Sequence, residues 1–184
     1  MNYKIIRSKR KTLAIEISIK NGLVVRAPAN IKREKIDEFI NANKDWIKTK
    51  SAKINEAKII RQNINKLKPE EISHLKEQAR KIIPSKVEYY SQKMGISYGK
   101  ITIKILKSRW GSCSSKGNLN FNFLLMLMPT DVIDSVIAHE VCHLKELNHS
   151  KNFYALLLNI CPNYWEAQVW LKENGSKIMA RLAD

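Results

Sequence analysis

Apolar residues recur at every second position near the N-terminus, which is the pattern of a half-buried strand. This alternation covers residues 12–19, and Asn21-Gly22 follows with two residue types that tolerate the positive φ of a tight hairpin turn. Residues 23–27 are the returning strand, which Pro28 ends because proline cannot donate to a sheet ladder. Two isoleucines at 5–6 predict a further short strand before this hairpin.

From residue 33 to about residue 65 the apolar positions change to a helical spacing, with lysines on the other faces. Another helix begins at Pro69, because proline followed by two glutamates is typical of a first helical turn. We expect Pro84 to kink or restart this helix and Gly95 to cap its end.

Alternation returns over residues 101–106 and 118–123 and predicts two further strands, with a loop rich in Gly and Ser at 108–117 between them. A helix then begins at residues 129–131, and the rest of the chain is helical. Strands and helices are segregated rather than strictly alternating, which predicts an α+β fold.

Length and composition are those of a folded globular protein, with 184 residues, 44% hydrophobic and 27% charged. We expect an N-terminal β-hairpin with long basic helices at 1–67 and a second domain at 68–184. No apolar run approaches the roughly 18 residues of a membrane span, and none at the start resembles a secretory signal. We therefore expect a cytoplasmic protein with no membrane segment.

The three cysteines, at positions 113, 142 and 161, form no CxxC pair. An odd number with such spacings favours reduced thiols over a disulfide framework or a thiol-rich metal knuckle.

The net charge of +16 is unevenly distributed. Residues 1–107 contain 26 Lys+Arg against 10 Asp+Glu, whereas residues 108–184 contain 7 of each. One interpretation is a basic surface that binds nucleic acid or ribosomes. The other is a set of solvated lysine-rich helix faces, which the scarcity of interleaved aromatic residues favours. Both interpretations stay open from the sequence.

The candidate metal ligands centre on His139 and His143. These residues are spaced i and i+4 and so share one face of the helix predicted to begin at residues 129–131. Two neutral imidazoles at that separation can hold one zinc ion, each at about 2.0–2.1 Å. Glu140 stands next to the first of them and is the candidate general base for a metal-activated water.

A third ligand is expected at His149, which can reach the metal only if the helix stops after His143. Asn148 can adopt the left-handed conformation that ends a helix, and Ser150 is a suitable cap for the next one. Three protein ligands leave the fourth position that a catalytic zinc site needs. Glu166 is a second candidate for the third ligand. The other interpretation of Glu166 is an exposed carboxylate on a helix.

Two residues are candidates for supporting roles around the metal. Glu146 lies at i+7 from His139 and could orient a ligand, or it could simply pair with a nearby lysine. Tyr164 is a candidate donor to the oxyanion that forms during amide hydrolysis, with a packing role as the alternative.

The motifs Ser108-Arg109-Trp110-Gly111-Ser112-Cys113, His139-Glu140-Val141-Cys142-His143 and Asn148-His149-Ser150 together resemble those of the YgjP-like metallopeptidase family. That family is similar to the WLM and SprT-like peptidases. The resemblance implies a zincin-like metallopeptidase core, one catalytic zinc ion on His139, His143 and His149, and Glu140 as the base. It also implies a peptide or protein substrate.

In zincins a strand beside the active-site helix commonly pairs with extended substrate. By that likeness residues 118–123 are the candidate edge strand, with a paired interior strand as the alternative. The candidate substrate-binding residues are Asn118, Leu119, Asn120 and Phe121.

We therefore predict a zinc-dependent metallopeptidase that hydrolyses peptide bonds by metal-activated water. The alternative is a basic nucleic-acid- or ribosome-associated module with a structural or vestigial zinc site. A peptidase acting on nucleic-acid-bound proteins would combine the two functions.

Overall fold

The alternating N-terminal segments form a three-stranded mixed sheet in the computed structural model, which describes residues 2–182 except for the side chains of residues 57, 60 and 61. Strand β1 (Lys4–Ser8) is parallel to the central β3 (Gly22–Pro28), and β2 (Ala14–Ser18) is antiparallel to it. Gly22 has φ 63°, so the predicted hairpin turn is confirmed.

The predicted helical segment after residue 33 is two helices, α1 (Arg33–Ala42) and α2 (Lys44–Asn63). The break falls at Asn43, whose side-chain amide donates to the Phe39 carbonyl at 2.8 Å and so satisfies a group that a continuing helix would use. The buried core beneath these helices is aliphatic and consists of Val25, Ala27, Ile36, Ile40 and Ile47.

These strands and helices make up the first of two compact units, Met1–Ile64, and the second unit is Asn65–Asp184. The second unit begins with α3 (Pro69–Met94), which Gly95 caps in the predicted left-handed conformation at φ 64°. The helix continues through Pro84, so the expected restart there is wrong. Proline removes only one backbone donor, and the buried residues on both sides, Ala79 and Val87, keep this helix packed.

A second three-stranded sheet follows, with strands β4 (Ile101–Lys104), β5 (Gly111–Cys113) and β6 (Leu119–Asn122). Its order is β4-β6-β5, with β4 parallel and β5 antiparallel to the central strand. The strand β5 lies inside the segment that the sequence predicts as a loop. Three residues are too few to show an alternation.

The prediction that residues 118–123 form an edge strand is wrong, because β6 pairs on both sides. Leu119 and Phe121 are both fully buried. Neither the backbone nor these side chains are free to bind an extended substrate in the way that the edge assignment requires.

A short 3₁₀ helix (Phe123–Leu127) leads into α4 (Thr130–Cys142), which is followed by α5 (Lys151–Ile160) and α6 (Tyr164–Met179). The helix α4 is central to this unit, because it packs against α3, α5, α6 and β5. An ion pair of 2.6 Å between Lys86 and Asp134 also joins α3 to α4. The helix that carries the predicted metal ligands is therefore supported on several sides.

The predicted α+β class is confirmed, with two small mixed sheets and six α-helices among the described residues. Over residues 2–182, no helix combines the length and apolar character that a membrane crossing requires.

Candidate metal centre and active site

Three imidazoles converge at the C-terminal end of α4. His139 lies in its last turn, His143 directly follows it, and His149 lies in the turn before α5. One ring nitrogen from each lies within 4.8 Å of the others. Zinc–nitrogen bonds of about 2.1 Å in a tetrahedral site place two nitrogens roughly 3.4 Å apart. The Nε2 atoms of His139 and His149 are 3.0 Å apart, so the rings are close to the arrangement that one ion requires.

The outward-facing nitrogens of two of these rings are already occupied. The Nδ1 of His139 lies 3.1 Å from the Tyr164 hydroxyl, and the Nδ1 of His143 lies 3.0 Å from the backbone carbonyl of Glu146. Such contacts hold a ring in place and leave its Nε2 to face the centre. Glu146 thus contacts a histidine through its main chain, whereas the sequence suggested its carboxylate.

The turn that returns His149 to the site differs from the predicted one. No described residue other than glycine has positive φ, so the expected left-handed conformation of Asn148 is wrong. Instead α4 ends at Cys142, and the amides of Lys145 and Glu146 both donate to the Cys142 carbonyl, at 3.1 and 2.9 Å. The carbonyls at the helix end are satisfied by this tighter turn.

The predicted cap at Ser150 is confirmed, because its hydroxyl accepts a hydrogen bond from the Phe153 amide at 3.3 Å. That cap places Phe153 in the first turn of α5, fully buried behind the three histidines. Its ring centroid is 4.7 to 5.0 Å from each imidazole. Phe153 therefore excludes water from one side of the cluster and limits how far the rings can turn.

Burial sets the protonation of the cluster. Together with the neighbouring His143 and His149, burial lowers the pKa of His139 to about 4, and burial is the largest of these causes. Burial also lowers the pKa of His143. Both rings are consequently neutral at pH 7, which leaves the nitrogen lone pairs available for a metal.

Glu140 is a buried carboxyl, only 8% exposed, next to His139 on α4. Desolvation raises its pKa to about 7, against the opposing effects of the Arg109 guanidinium and the Cys113 backbone amide. A carboxyl with such a pKa can both accept and release a proton near neutral pH. A buried carboxyl beside an imidazole cluster is the combination that metal-assisted hydrolysis needs.

A glycine makes room for this carboxyl. A Cβ added to Gly111 would lie 2.5 Å from Cγ and 2.8 Å from Oε1 of Glu140. Glycine at this position of β5 therefore lets the strand pass close to the Glu140 carboxyl. In the sequence Gly111 stands out only as part of a family motif, because the residue it would clash with lies 29 positions away.

A family model described as YgjP-like, metallopeptidase domain, matches residues 11–73 and 58–174. The chain belongs to the YgjP-like metallopeptidase family. The match extends over most of both compact units and includes all the histidines of the cluster. Metallopeptidase activity, predicted from the sequence, is therefore confirmed at the level of the family.

Two solved structures are similar to part of the chain. The abylysin metallopeptidase zymogen of Pyrococcus abyssi is 18% identical over 50% of this chain and 94% of its own, with a TM-score of 0.46. The jannalysin metallopeptidase zymogen of Methanocaldococcus jannaschii is 22% identical over 50% of this chain and 95% of its own, with a TM-score of 0.45. A comparison with curated proteins finds no match.

A cleft of about 210 Å³ opens beside the family's expected base. Buried residues form its floor, namely Gly111, Val136, Glu140 and Tyr164, together with the half-buried His139. Less buried residues form its walls and mouth, namely Arg109, Trp110, Gln168 and Leu171. The cleft therefore leads from solvent to the base and to one of the histidines.

The loop at the mouth of the cleft is held by Asn122, a fully buried residue. Its side-chain amide donates to the carbonyls of Leu106 and Arg109 at 2.9 and 3.4 Å, and its backbone amide donates to the Trp110 carbonyl at 2.8 Å. A buried amide that satisfies its hydrogen bonds in this way fixes a loop more firmly than surface contacts do. Sequence reasoning missed this anchor, because a lone asparagine in a strand gives no signal of its partners.

The other candidate substrate-binding residues on β6 have structural contacts. The side-chain oxygen of Asn118 accepts from the Lys100 amide at 2.8 Å, and the Asn120 side chain donates to the Ser112 hydroxyl at 3.2 Å. Glu166 is exposed in the first turn of α6 and does not join the histidine cluster.

His149→Ala should greatly lower the zinc content of the purified protein, because it removes one of the three converging nitrogens. Glu166→Ala should leave the zinc content at the wild-type level. Zinc per protein molecule, measured by elemental analysis after dialysis, checks both variants. The reverse result would assign the third ligand to Glu166.

Gly111→Ala should reduce peptidase activity by about 100-fold while the metal is retained, because the new methyl group must displace Glu140 by a substantial fraction of an ångström. Activity and zinc content measured on the same preparation check this. Gly95→Ala is the control, since its added Cβ would meet nothing within 4 Å and the strain at its φ of 64° affects stability at a site outside the cleft. Equal activities of the two variants would contradict the role assigned to Gly111.

Proposed function

We propose that this metallopeptidase uses a single zinc ion held by His139, His143 and His149, with Glu140 as the general base. The observation that supports this most directly is the convergence of three imidazoles beside a buried carboxyl. Three nitrogen donors with no thiolate, and room for a fourth position, suit catalytic zinc. When bound, zinc would supply Lewis acidity that activates water and polarises the scissile carbonyl.

Two residues of the chain have separate roles in the reaction, proton transfer and positioning of a metal ligand. Glu140 accepts a proton from the attacking water and delivers it to the leaving amine, for which a pKa near 7 is suited. Tyr164 positions His139 through its hydroxyl, and burial, together with neighbouring acidic groups, raises its own pKa to about 12 so that it stays protonated. Its contact with His139 favours a positioning role over the oxyanion role suggested by the sequence.

We place extended substrate along β5 rather than β6. The strand β5 is at the edge of its sheet, because it pairs only with β6. Gly111, on this strand, approaches Glu140 closely, so a peptide paired with β5 would pass next to the base. Backbone pairing holds a peptide with little regard for its sequence. Substrates would therefore be extended or unfolded polypeptides.

Glu140→Gln should retain zinc but lower the hydrolysis of an unfolded substrate such as casein by about 100-fold or more, because an amide cannot accept the proton. Glu166→Gln is a matched control, since the same change is made on an exposed carboxylate outside the cluster. Release of acid-soluble peptide and zinc content check both. Full activity of the Glu140 variant would exclude the general-base assignment.

The basic charge supports a second proposal, that the first unit binds nucleic acid. Residues 1–64 contain 16 Lys+Arg against 6 Asp+Glu. A groove of about 480 Å³ in this unit has an apolar part formed by Leu23, Ile47 and Ala52, and its polar lining includes Lys44, Lys48, Ser51 and Asn55. Lysines beside hydrogen-bonding groups suit a phosphate backbone. Such binding would direct the peptidase to proteins on nucleic acid, and the three free cysteines fit a reducing compartment such as the cytoplasm.

The full-length protein should bind single- or double-stranded DNA or RNA with an affinity that falls steeply as salt rises. A double variant, Lys44→Ala with Lys48→Ala, should weaken binding more than Lys50→Ala with Lys53→Ala, although both remove two charges. Fluorescence anisotropy over a salt series checks this. Negligible binding at low salt, or binding without a salt slope, would remove the basis of this proposal.

A further inference from the structure

We propose that Arg109 determines specificity, by binding an acidic side chain of the substrate close to the scissile bond. This inference deepens the proposed function and rests on it. It concerns the cleft beside Glu140, and it names the class of peptide that the cleft accepts.

Arg109 is positioned to contact a substrate side chain near the scissile bond. Arg109 is an exposed residue at the mouth of a cleft whose buried floor contains Glu140 and His139. A volume of about 210 Å³ is enough for one large side chain. The side chain of a residue next to the bond being cleaved would enter this cleft. Its far end would lie among the residues of the walls and mouth.

The backbone that carries Arg109 is held rigidly. Asn122 holds the carbonyls of both Arg109 and Trp110, and the Trp110 ring packs against Gly175, where an added Cβ would lie 3.3 Å away. The backbone of Arg109 is therefore fixed although its side chain is exposed. A recognition group that starts from a fixed backbone loses less entropy on binding than one on a mobile loop.

The charged groups that line the cleft favour an acidic ligand. No ion pair among the described residues includes Arg109, and no described hydrogen bond comes from its guanidinium. The charged or titratable groups among the cleft residues are Arg109, Glu140, His139 and Tyr164, and the last two are uncharged at pH 7. Arg109 is thus the one fixed cation of the lining. Its charge acts on the Glu140 carboxyl without a direct ion pair, so its guanidinium N–H groups stay available to a ligand.

Loss of water from the Arg109 guanidinium strengthens this preference. The walls of the cleft include the apolar side chain of Leu171 and the Trp110 ring, and Val136 adds an apolar surface on the floor, so a bound side chain displaces water from around the guanidinium. A guanidinium that loses water needs a new partner, and a carboxylate satisfies it with two parallel hydrogen bonds. A neutral or basic side chain would leave it unpaired. The geometry therefore favours glutamate or aspartate in the cleft.

The test uses three peptides that are identical except for Glu, Gln or Lys at one position beside the cleaved bond, varied on each side in turn. At one of these positions the wild-type enzyme should cleave the Glu peptide with a kcat/KM at least about tenfold above the Gln peptide, and the Lys peptide should be poorest. Arg109→Gln should abolish the difference, and Arg109→Glu should reverse it in favour of Lys. Lys107→Gln is the control, because it removes an exposed cation two residues away that does not line the cleft.

Reversal by Arg109→Glu would establish the proposal, since a merely structural role cannot invert a charge preference. Equal loss of kcat on all three peptides in Arg109→Gln would overturn it in favour of a role in the reaction itself. A lowered melting temperature with lost zinc would overturn it in favour of a structural role, and absence of any preference in the wild type would also overturn it.

Binding keeps the test independent of turnover. Zinc-loaded Glu140→Gln protein should bind the Glu peptide about tenfold more tightly than the Gln peptide, and the Arg109→Gln change should remove the difference. A wild-type enzyme that cleaves none of the peptides, while binding still discriminates, would contradict the proposed peptidase mechanism and leave the Arg109 subsite standing. Cleavage of all three peptides without any difference in binding would support the peptidase mechanism and contradict the Arg109 subsite.

Discussion

The second unit depends on bringing three imidazoles to one point with the correct nitrogens facing inward. A helix alone satisfies this for two rings, because His139 and His143 are one turn apart on α4. The third ring can join only if the helix ends at once, and α4 does end at Cys142, one residue before His143. The Cys142 carbonyl then accepts two amides from the following turn, so the chain turns back toward the site without leaving that group unsatisfied.

The same packing that holds the rings sets their chemistry. Phe153 behind the histidines and the strand β5 against Glu140 exclude water, and this desolvation lowers the pKa of His139 while it raises that of Glu140. Both shifts favour the uncharged forms of groups that would otherwise be charged. The neutral rings of His139 and His143 can accept a cation, and a carboxyl with a pKa of about 7 can exchange protons near neutral pH. One physical effect thus prepares a metal site and a base together.

Local patterns predicted the parts of this site that depend on neighbours in sequence. The i, i+4 histidines, the Ser150 cap and the β6 alternation all express contacts within a few residues. Two errors were local, namely the restart at Pro84 and the left-handed Asn148. The error about β6 arose because the answer depends on distant partners. Interior and edge strands share the same alternation, so the pairing of β6 on both sides had no local signal. The close approach of Gly111 to Glu140 and the hold of Asn122 on the Arg109 loop likewise join segments that are far apart in sequence.

Each residue of the segment Arg109-Trp110-Gly111 has a different role at the cleft. Gly111 lets β5 lie against the base, so the residues just before it must enter the same cleft. Trp110 becomes a wall, and Arg109 reaches the mouth because its backbone is tied to Asn122. Any insertion between these residues would separate the cation from the base while leaving both in the chain. The spacing is therefore as much a part of the site as the side chains are, and it joins the chemistry of Glu140 to the recognition of a substrate.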